Sequence, residues 1–122
     1  MSQMDVDRAI AISTGASFDD WLRSNGSRER EVVVAIYKKA SGRQTVGLGE
    51  LQEVALVPGW VDTQTKRIDD DRYAIRFVPR RPGSNWSPTN REMAARLLAE
   101  GRVTEAGLAT LPPDLLPPDS RR

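Results

Sequence analysis

RYAIRFVPRRPGSNWSPTN, residues 72–90, holds a strand, a stiff turn and the first residues of a helix within nineteen positions. Tyr73, Ile75 and Phe77 alternate with Arg72 and Arg76, the period-two pattern of a strand with one buried face. If the extended phase runs through Pro79, Arg72, Arg76 and Arg80 share the opposite face. Pro79 and Pro82 lack a backbone N–H and restrict the chain path, so the strand gives way to a rigid turn. Ser87 then reads as an N-cap, with Pro88 at N1, where its missing N–H costs nothing. Four arginines and no acid fall in this stretch, although 18 basic and 17 acidic residues nearly cancel over the chain.

Working outward, IDDD (68–71) is an acidic turn that joins this strand to an earlier one, Trp60 to Arg67, making a hairpin. EVVVAIYKK (31–39) is apolar without alternation and rich in β-branched residues, which suits a strand buried on both faces in the middle of a sheet. Helices are expected on either side of it. Phe18, Trp21 and Leu22 have i, i+3, i+4 spacing behind a Ser17 cap, and Asn25-Gly26 ends that helix. Leu48, Leu51, Val54 and Ala55 repeat the spacing, with Pro58-Gly59 as the stop. Met93, Leu97 and Leu98 form the stripe of the helix after Ser87, Gly101 closes it, and Thr104 caps a last short helix over 105–111.

Strands and helices are interspersed without a βαβ repeat. The expected class is α+β: a small, mainly antiparallel sheet (central strand plus hairpin) with four short helices packed on it. At 122 residues the chain is one domain, with its folded unit over 16–111. Residues 1–15 carry a weak alternation at Ile10 and Ile12 and are expected as a tail or a short edge strand. Residues 112–122 are proline-rich and expected to be a mobile tail.

Composition removes several chemistries. With no cysteine there is no disulfide, thiolate nucleophile or Cys-based zinc site. With no histidine the commonest general acid–base and metal-ligating side chain is missing. Ser84 and Ser87 therefore lack a histidine partner, and the acidic turn lacks the spaced ligands and distal Glu of a calcium loop. No metal and no cofactor is expected, and catalysis is the lesser expectation. No run of eighteen apolar residues occurs, so no membrane span is expected. Without a basic, apolar N-terminal signal, the expected location is the cytoplasm.

The ordered series WL (21–22), AIYKKASG (35–42), GWVD (59–62), YAIRFVPRRPGSNWS (73–87), Asn90 and LLAEGRVTEAGL (97–108) resembles the YdeI/OmpD-associated, or bacteriocin-protection, family across Ser17 to Leu111. The resemblance implies a small soluble bacterial protein of envelope-stress or antimicrobial-peptide tolerance, and association with a porin. It carries no reaction, cofactor or catalytic set. Val57-Pro58 before GW, and Gly47 and Gly49 around Leu48, depart from the usual pattern.

The candidate site is the arginine face, Arg72, Arg76, Arg80 and Arg81, beside the helix start at Ser87 and Asn90. Guanidinium forks suit carboxylate or phosphate, and a helix N-terminus adds free N–H groups. The plainer alternative is a solvated face whose arginines pair with Asp69, Asp70, Asp71 or a glutamate. Trp60, Asp62, Tyr73 and Trp86 are candidates for stacking or for lining a pocket. Against that, both tryptophans suit core anchoring, and Asp62 suits an ion pair with Arg76 or Arg80.

The reading these features support is a non-enzymatic binding or adaptor domain that takes a small anion or an acidic protein partner. Nucleic-acid binding, with Trp86 or Tyr73 stacking on bases, is one alternative, weakened by a net charge of only +1. An enzyme acting on a small acidic metabolite is another. The ligand and the oligomeric state are not legible in the sequence.

Overall fold

The valine run has no polar side to turn outward, and β2 (Val32–Tyr37) accordingly lies inside the sheet, with all but Tyr37 of its residues buried. The fold is known from a computed structural model that describes residues 4–116. The other elements are β1 (Ile10–Ala11), α1 (Gly15–Asn25), α2 (Leu48–Leu56), β3 (Trp60–Arg67), β4 (Arg72–Pro79), α3 (Pro88–Ala99) and α4 (Glu105–Leu108). The four strands run in the order β1-β2-β4-β3, so the class is α+β with an open sheet. β2–β4 and β4–β3 are antiparallel, and β1 adds a single parallel pairing at the edge.

One face of the sheet packs on α1 and α2. Phe18 and Leu22 of α1 and Leu51 and Ala55 of α2 meet Val34, Ile36, Trp60, Ile75 and Phe77 in the main core. The Phe18 and Phe77 rings lie 4.8 Å apart at 51°, within the tilted range aromatic pairs prefer. Val33 and Ala74 face the other way, where Met4 covers them together with Val6, Ala9 and Ile68. A smaller core of Leu56, Ala94, Leu97 and Leu111 ties α3 and α4 to the end of α2.

Several local expectations change. Helix α1 is capped by Thr14, not Ser17: Thr14 is extended (φ −141°, ψ 153°), and its Oγ1 accepts from the Ser17 N–H at 3.0 Å. Within residues 1–15 the edge strand is Ile10–Ala11, and Ile12, just after it, is buried. Leu48 is exposed, and the buried residues of α2 are Leu51, Ala55 and Leu56. Thr104 does cap α4, accepting from the Gly107 N–H at 3.2 Å, but the helix stops at Leu108. Of the expected tail, residues 113–115 form a 3-10 turn, and Leu115 and Leu116 pack on the smaller core. The rest of it, 117–122, lies outside the described residues.

Polar links brace the second layer. Glu53 of α2 accepts from Arg96 Nη2 of α3 and from Arg102 Nη1, both at 2.9 Å. The Arg96 hydrogen bond pulls the Glu53 carboxyl below its ordinary value of 4.5, partial burial opposes this, and Arg102 adds to the fall. A group depressed in the folded state contributes stability that is full above its unfolded value and is lost as pH falls through the folded one. Thermal melts should therefore lose midpoint as pH drops below 4.5. That loss should be smaller in Glu53→Gln; an identical pH profile for both proteins would show that the cluster is not coupled to folding.

Candidate functional site

The arginines of the 72–90 segment do not form one face. Arg72 stays at the hairpin end, where its Nε and Nη2 donate to Asp69 Oδ2 at 3.0 and 2.9 Å. Asp69 Oδ1 also accepts from the Asp71 and Arg72 N–H groups, so this turn satisfies itself. The Arg72 hydrogen bond, aided by these N–H groups, holds the Asp69 carboxyl below its ordinary range. Arg76 lies across the sheet from the helices, donating from Nε to Glu31 at 2.8 Å and from Nη1 to Thr63 Oγ1 at 3.2 Å. Arg81 is exposed on the turn.

Arg80 is different because β4 ends at Pro79. Its N–H still donates to Gly59 O at 2.8 Å, closing the hairpin ladder. Its side chain leaves the strand alternation and lies over the Trp86 ring, 3.9 Å from the centroid. Nη1 donates to Ser84 Oγ and to Asn85 O, both at 3.2 Å. The turn that Pro82 and Gly83 direct (Gly83 φ 80°) thus folds back and clamps the guanidinium. Burial pushes the Arg80 pKa down, and the nearby Asp62 charge pulls it up. Arginine keeps its charge through such a shift, so the site carries a partly desolvated cation.

Among the described residues four arginines are half-buried: Arg72, Arg76, Arg80 and Arg91. Asp69, Glu31 and Asp114 pair with three of them. Arg80 has no carboxylate within ion-pair distance among the described residues.

Around Arg80, Gln52, Trp60, Asp62, Asn90 and Met93 line a cleft of about 10 Å³. That is room for about one water, so the cleft admits the tip of a ligand and not a whole metabolite. Asp62 does not form the expected ion pair with Arg76 or Arg80. Its Oδ1 accepts from Gln52 Nε2 at 3.2 Å, because β3 runs beside α2. Ser87 caps α3 as expected, accepting from the Asn90 N–H at 3.1 Å, which places Asn90 at the cleft rim.

The aromatic candidates are largely occupied. Trp60 is buried and meets Trp21 edge-on at 6.0 Å between centroids. Tyr73 packs against the main core. Trp86 rests on the smaller core and is overlaid by Arg80. Stacking of a base on these rings would need that packing undone.

The structure thus gathers Trp60, Asp62, Arg80, Trp86, Ser87 and Asn90 at one end of the hairpin and leaves Arg72, Arg76, Arg81 and Tyr73 elsewhere. Gln52, Ser84 and the Asn85 carbonyl are members that sequence reasoning missed. Ser84, four residues after Arg80 in a Pro-Gly turn, carried a readable signal; Gln52, on a different element, carried none. Among the described residues no group of three or more metal-ligating side chains is placed to hold an ion. No helix among them is long and apolar enough to cross a membrane.

No curated protein and no solved structure matches this chain. A family model described as a domain of unknown function, DUF8412, matches residues 10–110, which run from β1 to just past α4 and include every residue of the Arg80 cleft. The chain belongs to the DUF8412 family.

Proposed function

We propose that this protein is a small binding or adaptor domain that captures a carboxylate group of an acidic protein partner at Arg80. One observation carries the reading: among the described residues, Arg80 is the half-buried arginine without a carboxylate within ion-pair distance, held flat by Trp86, Ser84 and Asn85. Its Nη1 is engaged within the chain, and Nε and Nη2 make no hydrogen bond among the described residues, which leaves that side of the planar fork for an incoming carboxylate. The first turn of α3 adds partial positive charge, and Asn90 at the rim offers a neutral amide donor. A cleft with room for about one water favours a side-chain carboxylate over a free metabolite, which weighs against the enzymatic alternative.

The cellular role follows from the motif series that resembles the YdeI/OmpD-associated family. In that role the domain is cytoplasmic and acts in bacterial envelope-stress or antimicrobial-peptide tolerance, with porin association as one form of the partner.

A calorimetric titration with an aspartate-rich peptide, run alongside inorganic phosphate, tests the site. The peptide should bind the native chain and the Arg76→Ala variant alike and fail to bind Arg80→Ala. Because Arg80 is half-buried, its removal should lower stability by about 1–2 kcal/mol, between an exposed and a desolvated cation–π contact. Equal capture by Arg80→Ala would end the proposal, and phosphate binding without peptide binding would replace the partner with a free anion.

A further inference from the structure

Among the described residues the outer edge of β3 is unpaired in the order β1-β2-β4-β3, and Thr63–Arg67 are all exposed. Two backbone bonds, one at each end of the ladder, fix which groups of β3 point outward. Gly59 O accepts from the Arg80 N–H at 2.8 Å, and the Ile68 N–H donates to Arg72 O at 3.1 Å. The ladder between them alternates, with Val61 facing Val78 and Lys66 facing Ala74. Asp62, Thr65 and Arg67 therefore direct their N–H and C=O groups away from the sheet. A register shift between Asp62 and Gln64 marks Thr63 as the extra residue of a bulge.

We propose that a second copy of this chain pairs antiparallel with this edge, about a two-fold axis at Thr65. Only a closed two-fold contact makes the same patch serve both copies. The register with β4 sets the faces: Asp62, Thr65 and Arg67 lie opposite Phe77, Ile75 and Tyr73, on the helix side, while Gln64 and Lys66 lie opposite Arg76 and Ala74. Centring on Thr65 sets Thr65 against Thr65 and Gln64 against Lys66. With the bulge counted as two residues for one, it also sets Asp62 against Arg67. Every pair then joins side chains of one face, and the acid of each copy meets a cation of the other.

The neighbouring registers are worse. Centring on Lys66 opposes two lysines, centring on Gln64 leaves Asp62 without a cation, and any centre between residues opposes side chains from different faces. Arg67 now pairs with Asp70 within the chain, an exposed contact that an Asp62 pairing can replace. Lysine and a bulge are devices that discourage indiscriminate edge pairing, and this register is the one they leave open.

Sedimentation of the full chain across a concentration series tests the pairing. The native chain should approach twice its 13.6 kDa mass. Thr65→Pro removes one outward N–H and none that bonds β4, so it should keep its circular dichroism and sediment as the single chain. Arg67→Glu sets like charges opposite each other and should also be monomeric, with Asp62→Lys, Arg67→Glu restoring the dimer. A native chain that stays monomeric at every concentration overturns the proposal. So does a dimer that survives both Thr65→Pro and Arg67→Glu. Should Thr65→Pro unfold, the Arg67→Glu pair of variants decides alone.

Discussion

Phe77→Ala should lower the unfolding free energy by about 3–5 kcal/mol, the range for truncating a fully buried phenylalanine. Phe77 has no solvent exposure and sits in the main core against Phe18, 4.8 Å between ring centroids. Its place on β4 opposite Val32 and Asp62 means that no single neighbour can collapse into the space. Small domains hold about 5–15 kcal/mol in total, so the variant should be near its unfolding midpoint in dilute denaturant. Urea titration followed by tryptophan fluorescence reads this directly. A loss below about 1 kcal/mol would mean that the β4 side chains do not form the core described.

Gly107→Ala should also destabilise, although helix propensity alone argues the reverse. Alanine gains about 1 kcal/mol over glycine in a helix interior. At this position a Cβ would stand 2.2 Å from Val57 O and 2.8 Å from Val103 Cγ1. Val57 O cannot retreat, because it accepts from both the N–H and the Oγ1 of Thr104 at 3.1 Å. Overpacking of this kind costs about 1–3 kcal/mol, and a backbone obstruction belongs at the upper end. The clash therefore outweighs the propensity, for a net loss of about 2 kcal/mol in the same urea assay. A stabilised variant would show that α4 does not dock on the end of α2.

Both predictions concern contacts between elements, which is where the sequence became hard to read. The valine run, the Tyr73–Phe77 alternation and the caps at Ser87 and Thr104 were legible because each signal lies within a few residues. The start of α1 was not, because Thr14 and Ser17 both carry a hydroxyl at capping spacing and the stripe of Phe18 and Leu22 does not fix the first turn. A parallel β1 of two residues depends on register with Val34 and Ala35, more than twenty positions away. The expectation of a shared arginine face failed for a physical reason: strand alternation was carried past Pro79, where the strand ends. Arg80 turned with the chain toward Trp86, and Arg72 and Arg76 found acids that the local sequence did not rank. Gln52 could be joined to Asp62 only once α2 was laid beside β3.

The central claim is that one guanidinium, at Arg80, takes the carboxylate. Side-chain Nε–H resonances of arginine report this one residue at a time. On addition of the aspartate-rich peptide, the Arg80 Nε–H signal should shift and slow its exchange with water, with Asn90 and Gln52 amide signals following. Those of Arg72 and Arg76, already bonded to Asp69 and Glu31, should stay in place. Shifts at Arg72, Arg76 or Arg81 with Arg80 unmoved would contradict the account.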